Sequence, residues 1–278
     1  MPAIHVNIWD IDFEIKTDSS KVVRFFNRAY SLFSRHSYIK KRICFRASKR
    51  NSADKNISEI NTKIYNALLE NYNEKCIFLH ASSVSLHSNN ILFMGGSRSG
   101  KSSLAAMLRD KGARLYADDL ALIEYKTNRL VRVPFFPNIR KGEFSKLQKQ
   151  YVGLFEPCLK KFNVIRRDFL SSMPETTYRM YYAFSKELYA FSGSVSQRGK
   201  KFIGIFLKRD KKLTTASLKS IDFPTSFNMF MNSMHLPESF FKKNLKNIVK
   251  LYGDIDFYSL RSHSLKESAR LIESNFKF

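Results

Sequence analysis

Apolar and polar residues alternate at the start of the chain: Ile4, Val6 and Ile8, then Ile11, Phe13 and Ile15, are separated by polar positions. A period of two puts one set on one face of a strand, so the stretch predicts a half-buried strand or hairpin. Asp18-Ser19-Ser20 offers capping oxygens, and over 21–33 Val22, Val23, Phe25, Phe26, Ala29, Tyr30 and Phe33 fall near helical spacing between Lys21, Arg24 and Arg28. That helix either packs on its own domain or lies as a basic helix on a membrane surface. The pattern then predicts a strand over 43–47, a polar loop over 50–57 and an amphipathic helix over 58–70 through Ile60, Ile64, Ala67 and Leu68.

An apolar run beginning at Ile77 predicts a strand that ends at His80, and Asn90-Ile91-Leu92-Phe93-Met94 predicts another, followed by a loop and a helix from Lys101. A short apolar run leads to Asp118-Asp119, 120–125 continues as strand, Lys126-Thr127-Asn128 turns, and 129–133 returns. Residues 142–182 carry little signal. Phe202-Ile203-Gly204-Ile205-Phe206-Leu207 is continuously apolar and predicts a central strand; 224–251 predicts two helical pieces and 256–260 a last strand. A closing helix over 264–275 is marked by Ser264 with Glu267 three positions on, the capping-box spacing. The strand and helix that return this late would complete the sheet begun after residue 75, which sets a domain boundary near 71–75.

The loop carries the chemistry. Gly95-Gly96-Ser97-Arg98-Ser99-Gly100-Lys101-Ser102 satisfies the phosphate-loop pattern between a strand and a helix. Its glycines let backbone N–H groups turn around an oxyanion that a Cβ would keep away, and the helix opening at Lys101 adds its positive end. Lys101 would reach the outer phosphates as a point charge, and Ser102 would offer its hydroxyl to magnesium. Asp118 and Asp119 stand at a strand end close behind the loop, where one carboxylate can touch the metal shell and the other can face an acceptor hydroxyl; Asp119 is favoured as the base.

Composition adds limits. With 278 residues, 44% of them hydrophobic, the chain can bury a good-sized core, and no stretch approaches the ~18 consecutive apolar residues of a membrane span. The start of the chain lacks a basic region followed by an apolar run, so a cytoplasmic protein is expected. Cys44, Cys76 and Cys158 are far apart and odd in number, against both a disulfide framework and a zinc site. A formal net charge of +24 attracts polyanions, whether nucleotide, nucleic acid, anionic lipid or acidic peptide. No nucleic-acid module is visible. Clusters such as Lys40-Lys41-Arg42 read as solvated turns, so an acidic or peptide partner, a peripheral anionic surface and an oligomer all stay open.

His80-Ala81-Ser82, the glycine loop and Ala117-Asp118-Asp119 together resemble the HPr kinase/phosphorylase catalytic domain and its smaller relatives, some of which are kinases found beside ribosomal-peptide biosynthesis genes. The resemblance covers residues 76–140, with weaker echoes to the C-terminus. It implies an α/β fold: a mixed-sheet P-loop domain of the HPr kinase/phosphoenolpyruvate carboxykinase type at 75–278, behind a small N-terminal α+β part at 1–74. It implies ATP and magnesium, with loop residues through Ser103 binding the nucleotide and Ser102, Asp118 and Asp119 serving the metal. His80 would orient an aspartate or a phosphate oxygen. Arg140, which closes a proline-bounded segment, is a phosphate clamp or a surface arginine. The implied activity is transfer of phosphate from ATP to a hydroxyl, chiefly serine of a peptide or small protein. A small-molecule kinase and a nucleotide-binding regulator without catalysis are the alternatives. Two departures stand out. Ser103 and Asn138 occupy places where the bifunctional enzymes have glutamates, which puts the reverse, phosphorylase reaction and a second metal in doubt.

Overall fold

The structure is a computed structural model that describes residues 2–8, 10–30, 41–72, 75–97, 99–109, 111–118, 120–132, 138–139, 178–179, 200–210, 212–234 and 238–276. It divides into two compact units, one of Met1–Tyr72 with Ile139–Ala190 and one of Asn73–Asn138 with Phe191–Phe278. The sequence expectations for 134–137, Arg140 and most of 142–182 lie outside the described residues.

In the first unit β1 (Ala3–Ile8) and β2 (Ile11–Lys16) form the expected hairpin, and β3 (Lys41–Arg46) adds in parallel beside β2. The alternating apolar residues from Ile4 to Ile15 are buried, as a period of two requires. Helix α1 (Ser20–Ala29) is capped by Ser19, whose side chain accepts from the Val22 N–H. Its Val22, Phe25 and Phe26 are buried, so the apolar face of the helix packs within its own unit. Helix α2 (Ala53–Tyr72) starts earlier than the apolar period indicates. Ser52 Oγ accepts from the Lys55 N–H at 3.2 Å, which organises a polar first turn ahead of Ile57 and Ile60. Two short strands, β10 (Asn138–Ile139) and β11 (Tyr178–Arg179), form a ladder of their own.

The second unit is mixed α/β. Strands β4 (Cys76–Leu79), β8 (Ala121–Glu124) and β9 (Arg129–Val131) make an antiparallel three-stranded sheet. The larger sheet runs β13-β14-β12-β6-β5-β7, with β5 Ser82–Leu86, β6 Asn89–Met94, β7 Arg114–Ala117, β12 Lys201–Arg209, β13 Ser217–Ser220 and β14 Ile255–Ser262. The apolar run of β12 is central, parallel to both β6 and β14. Gly204 permits that packing: a Cβ there would stand 2.6 Å from Phe257 Cδ1 and 2.9 Å from Met94 Cε. Strand β13 was not legible as a strand, because an edge strand with both faces partly wet carries no apolar alternation.

Helix α3 (Lys101–Arg109) follows β6; α4 (Phe223–Asn232) and α5 (Glu238–Gly253) lie between β13 and β14, and α6 (Leu265–Asn275) closes the chain. Ser264 caps α6 by accepting from the Glu267 N–H, as the spacing predicts. Helices α3 and α6 run side by side in the same direction: Leu265 meets Gly100 at their starts, and Lys111 pairs with Glu273 towards their ends.

Candidate functional site

Strand direction assembles the site. Strand β5 is antiparallel to both β6 and β7, so β6 and β7 point the same way and end on one sheet edge. The loop after Met94 and the acid after Ala117 therefore face the same edge. Strand β5 stands between them, a separation of roughly 10 Å at the usual strand spacing. A parallel neighbour in place of β5 would need a crossover helix between the strands. Because β6 and β7 are parallel, the connection through α3 is the crossover that joins them over β5.

The loop geometry demands glycine at two places. Gly95 has φ of +137°, and a Cβ on it would lie 2.8 Å from the Leu207 carbonyl oxygen of β12 and 3.1 Å from Ser99 Oγ. Gly100 has φ of +98°, with Leu265 Cδ2 at 3.2 Å from its would-be Cβ. Between them the Ser99 N–H donates to the Gly96 carbonyl at 3.2 Å, and the first helical bond runs from the Leu104 N–H to the Gly100 carbonyl at 2.9 Å. Lys101 is only 6% exposed; its Nζ donates to the carbonyls of Gly95 at 2.8 Å and Gly96 at 3.3 Å. The ammonium thus lies folded across the loop. Ser99 Oγ is buried without a hydrogen-bond partner, an orphaned donor inside the curl.

Asp118, 1% exposed, follows β7 directly and accepts a hydrogen bond from the Ser82 hydroxyl at the start of β5. Ser82 stands in the His-Ala-Ser triplet, yet sequence reasoning gave it no role. What reveals its role is strand pairing, since Ser83 of β5 lies opposite Ala117 of β7. His80 is half-buried in the bend between β4 and β5, and its N–H donates to the Ser233 carbonyl at 2.6 Å. The same bend puts His80 two residues from Ser82. Ser102 is half-buried in the first turn of α3, and Ser103 is buried beside it. Arg98, Asp119 and Arg140 lie outside the described residues.

The residues present fit an oxyanion such as a phosphate group. A glycine-lined curl that a Cβ would fill, a folded ammonium, an orphaned hydroxyl and a helix N-terminus are the elements an oxyanion requires. No group of three His, Cys, Asp or Glu gathers among the described residues. Magnesium tolerates that, since it keeps several waters and takes one or two carboxylates together with phosphate oxygens. Elsewhere in the unit, burial pushes the Cys76 thiol up to about 12, with Glu124 adding to the effect.

No protein-family model matches the sequence, and no curated protein matches it. Among solved structures, the Hpr(Ser) kinase/phosphatase from Coxiella burnetii is similar at a TM-score of 0.32 and 13% identity, over 72% of this chain and 94% of that one. That likeness is a distant structural one. No helix among the described residues is long and apolar enough to cross a membrane.

Proposed function

We propose that this chain is an ATP-dependent kinase that transfers phosphate to a hydroxyl, chiefly serine of a peptide or small protein. Residues 75–278 would carry the catalysis, with 1–74 as an accessory part. The observation that carries the reading is the pairing, on one sheet edge, of a glycine curl holding Lys101 with the Ser82-anchored Asp118. Phosphoryl transfer needs little covalent chemistry from a protein; it needs charge neutralised and the acceptor's proton taken. Loop amides and Lys101 would hold the phosphate oxygens, with the ammonium leaving the carbonyls of Gly95 and Gly96 for them. Ser102 and Asp118 would hold magnesium, which when bound neutralises charge on the transferring group. The Ser82 hydroxyl anchors Asp118, and Asp119 would be the base. Because Ser103 and Asn138 are not carboxylates, the reaction is expected to run one way.

Saturating ATP with magnesium should raise the unfolding midpoint, by about 2.7 kcal/mol of stability at a hundredfold excess over Kd, and Lys101→Ala should lose most of the gain. Labelled ATP offered with peptide and protein fractions should label an acceptor in wild type. Asp119→Asn should still bind nucleotide but transfer nothing, while Asp118→Asn should lose the magnesium-dependent part of binding. Transfer unchanged in both variants would overturn the assignment. Binding without transfer to any acceptor would favour the nucleotide-binding regulator instead.

A further inference from the structure

The four large apolar side chains exposed among the described residues all lie on two consecutive helices: Phe223 (66% exposed) and Met229 (36%) on α4, Leu245 (45%) and Val249 (51%) on α5. Phe223, Leu245 and Val249 are linked through Tyr252, which is itself buried. Leu245, Val249 and Tyr252 recur at helical spacing, and Tyr252 meets Phe223 and Phe227 edge-on at ring-centroid distances of 5.3 and 5.1 Å. One row further round α5 stand Lys242, Lys246 and Lys250, all exposed, with Lys243 beyond them. The acidic residue of α5 is Glu238 in its first turn; from Lys242 to Tyr252 there is none. Around α5 the order is therefore a buried row through Asn244, Ile248 and Leu251, an exposed apolar row, and a lysine row.

We propose that α4 and α5 form a docking face for an anionic lipid surface. An interfacial helix needs apolar side chains that enter the acyl boundary beside lysines that stay with the headgroup phosphates, and this is the sequence of rows found here. The charge pattern argues against other occupants. A two-fold contact between copies through the Lys242–Lys250 stretch of α5 would bring the lysine rows of both chains together. A nucleic-acid backbone would satisfy the lysines and leave Leu245 and Val249 against phosphates, with nothing gained by burying them. This face is independent of the glycine loop, and the proposal stands or falls without the kinase reading.

The test is co-sedimentation of the full chain with phosphatidylcholine vesicles, with and without phosphatidylserine. Wild type should partition onto the anionic vesicles and be released as salt is raised, because surface charge is screened within about 10 Å at 0.1 M. Lys242→Gln, Lys246→Gln and Lys250→Gln together should weaken partitioning about a hundredfold, at roughly fivefold for each lysine near the surface. Leu245→Ser with Val249→Ser should weaken it about tenfold or more at unchanged charge. These positions are exposed, so the variants should keep the wild-type unfolding midpoint. No partitioning by wild type, or equal partitioning onto neutral vesicles, would overturn the proposal. So would a concentration-dependent dimer that Leu245→Ser with Val249→Ser dissolves, since that outcome assigns the face to a second copy.

Discussion

Replacing Gly95 by alanine isolates the one loop position where backbone shape and close packing coincide. The new Cβ would sit 2.8 Å from the Leu207 carbonyl oxygen, nearer than side chains normally come, while the backbone holds φ at +137°. Neither partner can yield cheaply. Leu207 belongs to β12 and is held opposite Leu260 of β14, one residue past the Phe206–Met94 end of the ladder with β6. The disfavoured φ costs about 1–3 kcal/mol. Crowding against a fixed backbone adds about 1–3 kcal/mol. The sum, roughly 2–6 kcal/mol, lowers the melting midpoint of a domain of this size by roughly 5–20 °C. Gly96→Ala is the control: it adds a Cβ with nothing within 4 Å. Its expected change is within about 0.5 kcal/mol. Both variants are to be melted by calorimetry or circular dichroism, without nucleotide and then with ATP and magnesium. Gly95→Ala should lose stability first and the nucleotide response with it, because its remedy is to distort the curl. Equal midpoints for the two variants would refute the reasoning from steric contact.

Ser82→Ala removes the hydroxyl that donates to the buried Asp118 carboxylate; a hydrogen bond to a charged group is worth about 1.5–3 kcal/mol, so urea denaturation should show a loss of that order. A loss under about 0.5 kcal/mol would mean that other donors hold Asp118 alone. In a Cys158→Ser background a thiol reagent at neutral pH should modify the exposed Cys44 and spare the buried Cys76. The Cys76 thiol, raised from its usual 9.0 to about 12, stays protonated in the folded chain while the unfolded chain releases its proton. Stability should therefore fall between about pH 9 and pH 12 by up to about 1.4 kcal/mol per unit, a slope that Cys76→Ala should flatten.

Much of the secondary structure was legible because burial imposes a period. The alternation from Ile4 to Ile15, the unbroken run of β12 and the Ser264–Glu267 cap each translate directly into an element, since one face or end of that element must be satisfied. Elements that bury little escaped: β13 at the sheet edge, and the polar first turn of α2 that Ser52 organises. The candidate site was legible in its parts for a similar reason. Glycines at 95 and 100 followed by Lys101 are a local pattern, carried by a few consecutive residues whose backbone conformation is set nearby.

By itself, then, the sequence determined a strand, a glycine curl and a helix that can hold an oxyanion, and an acidic pair close behind them. Which strands lie side by side was decided only by tertiary structure, because pairing joins residues far apart in the chain and nothing local records the partner. The antiparallel seat of β5 between β6 and β7 puts Asp118 on the loop's edge and makes Ser82 its anchor. The carbonyl of Leu207, more than a hundred residues from Gly95, is what makes glycine obligatory there. Exposure of Leu245 and Val249 was equally hidden: their spacing is that of a core-facing row, and only the packing of α5 shows that the core stops one row short of them.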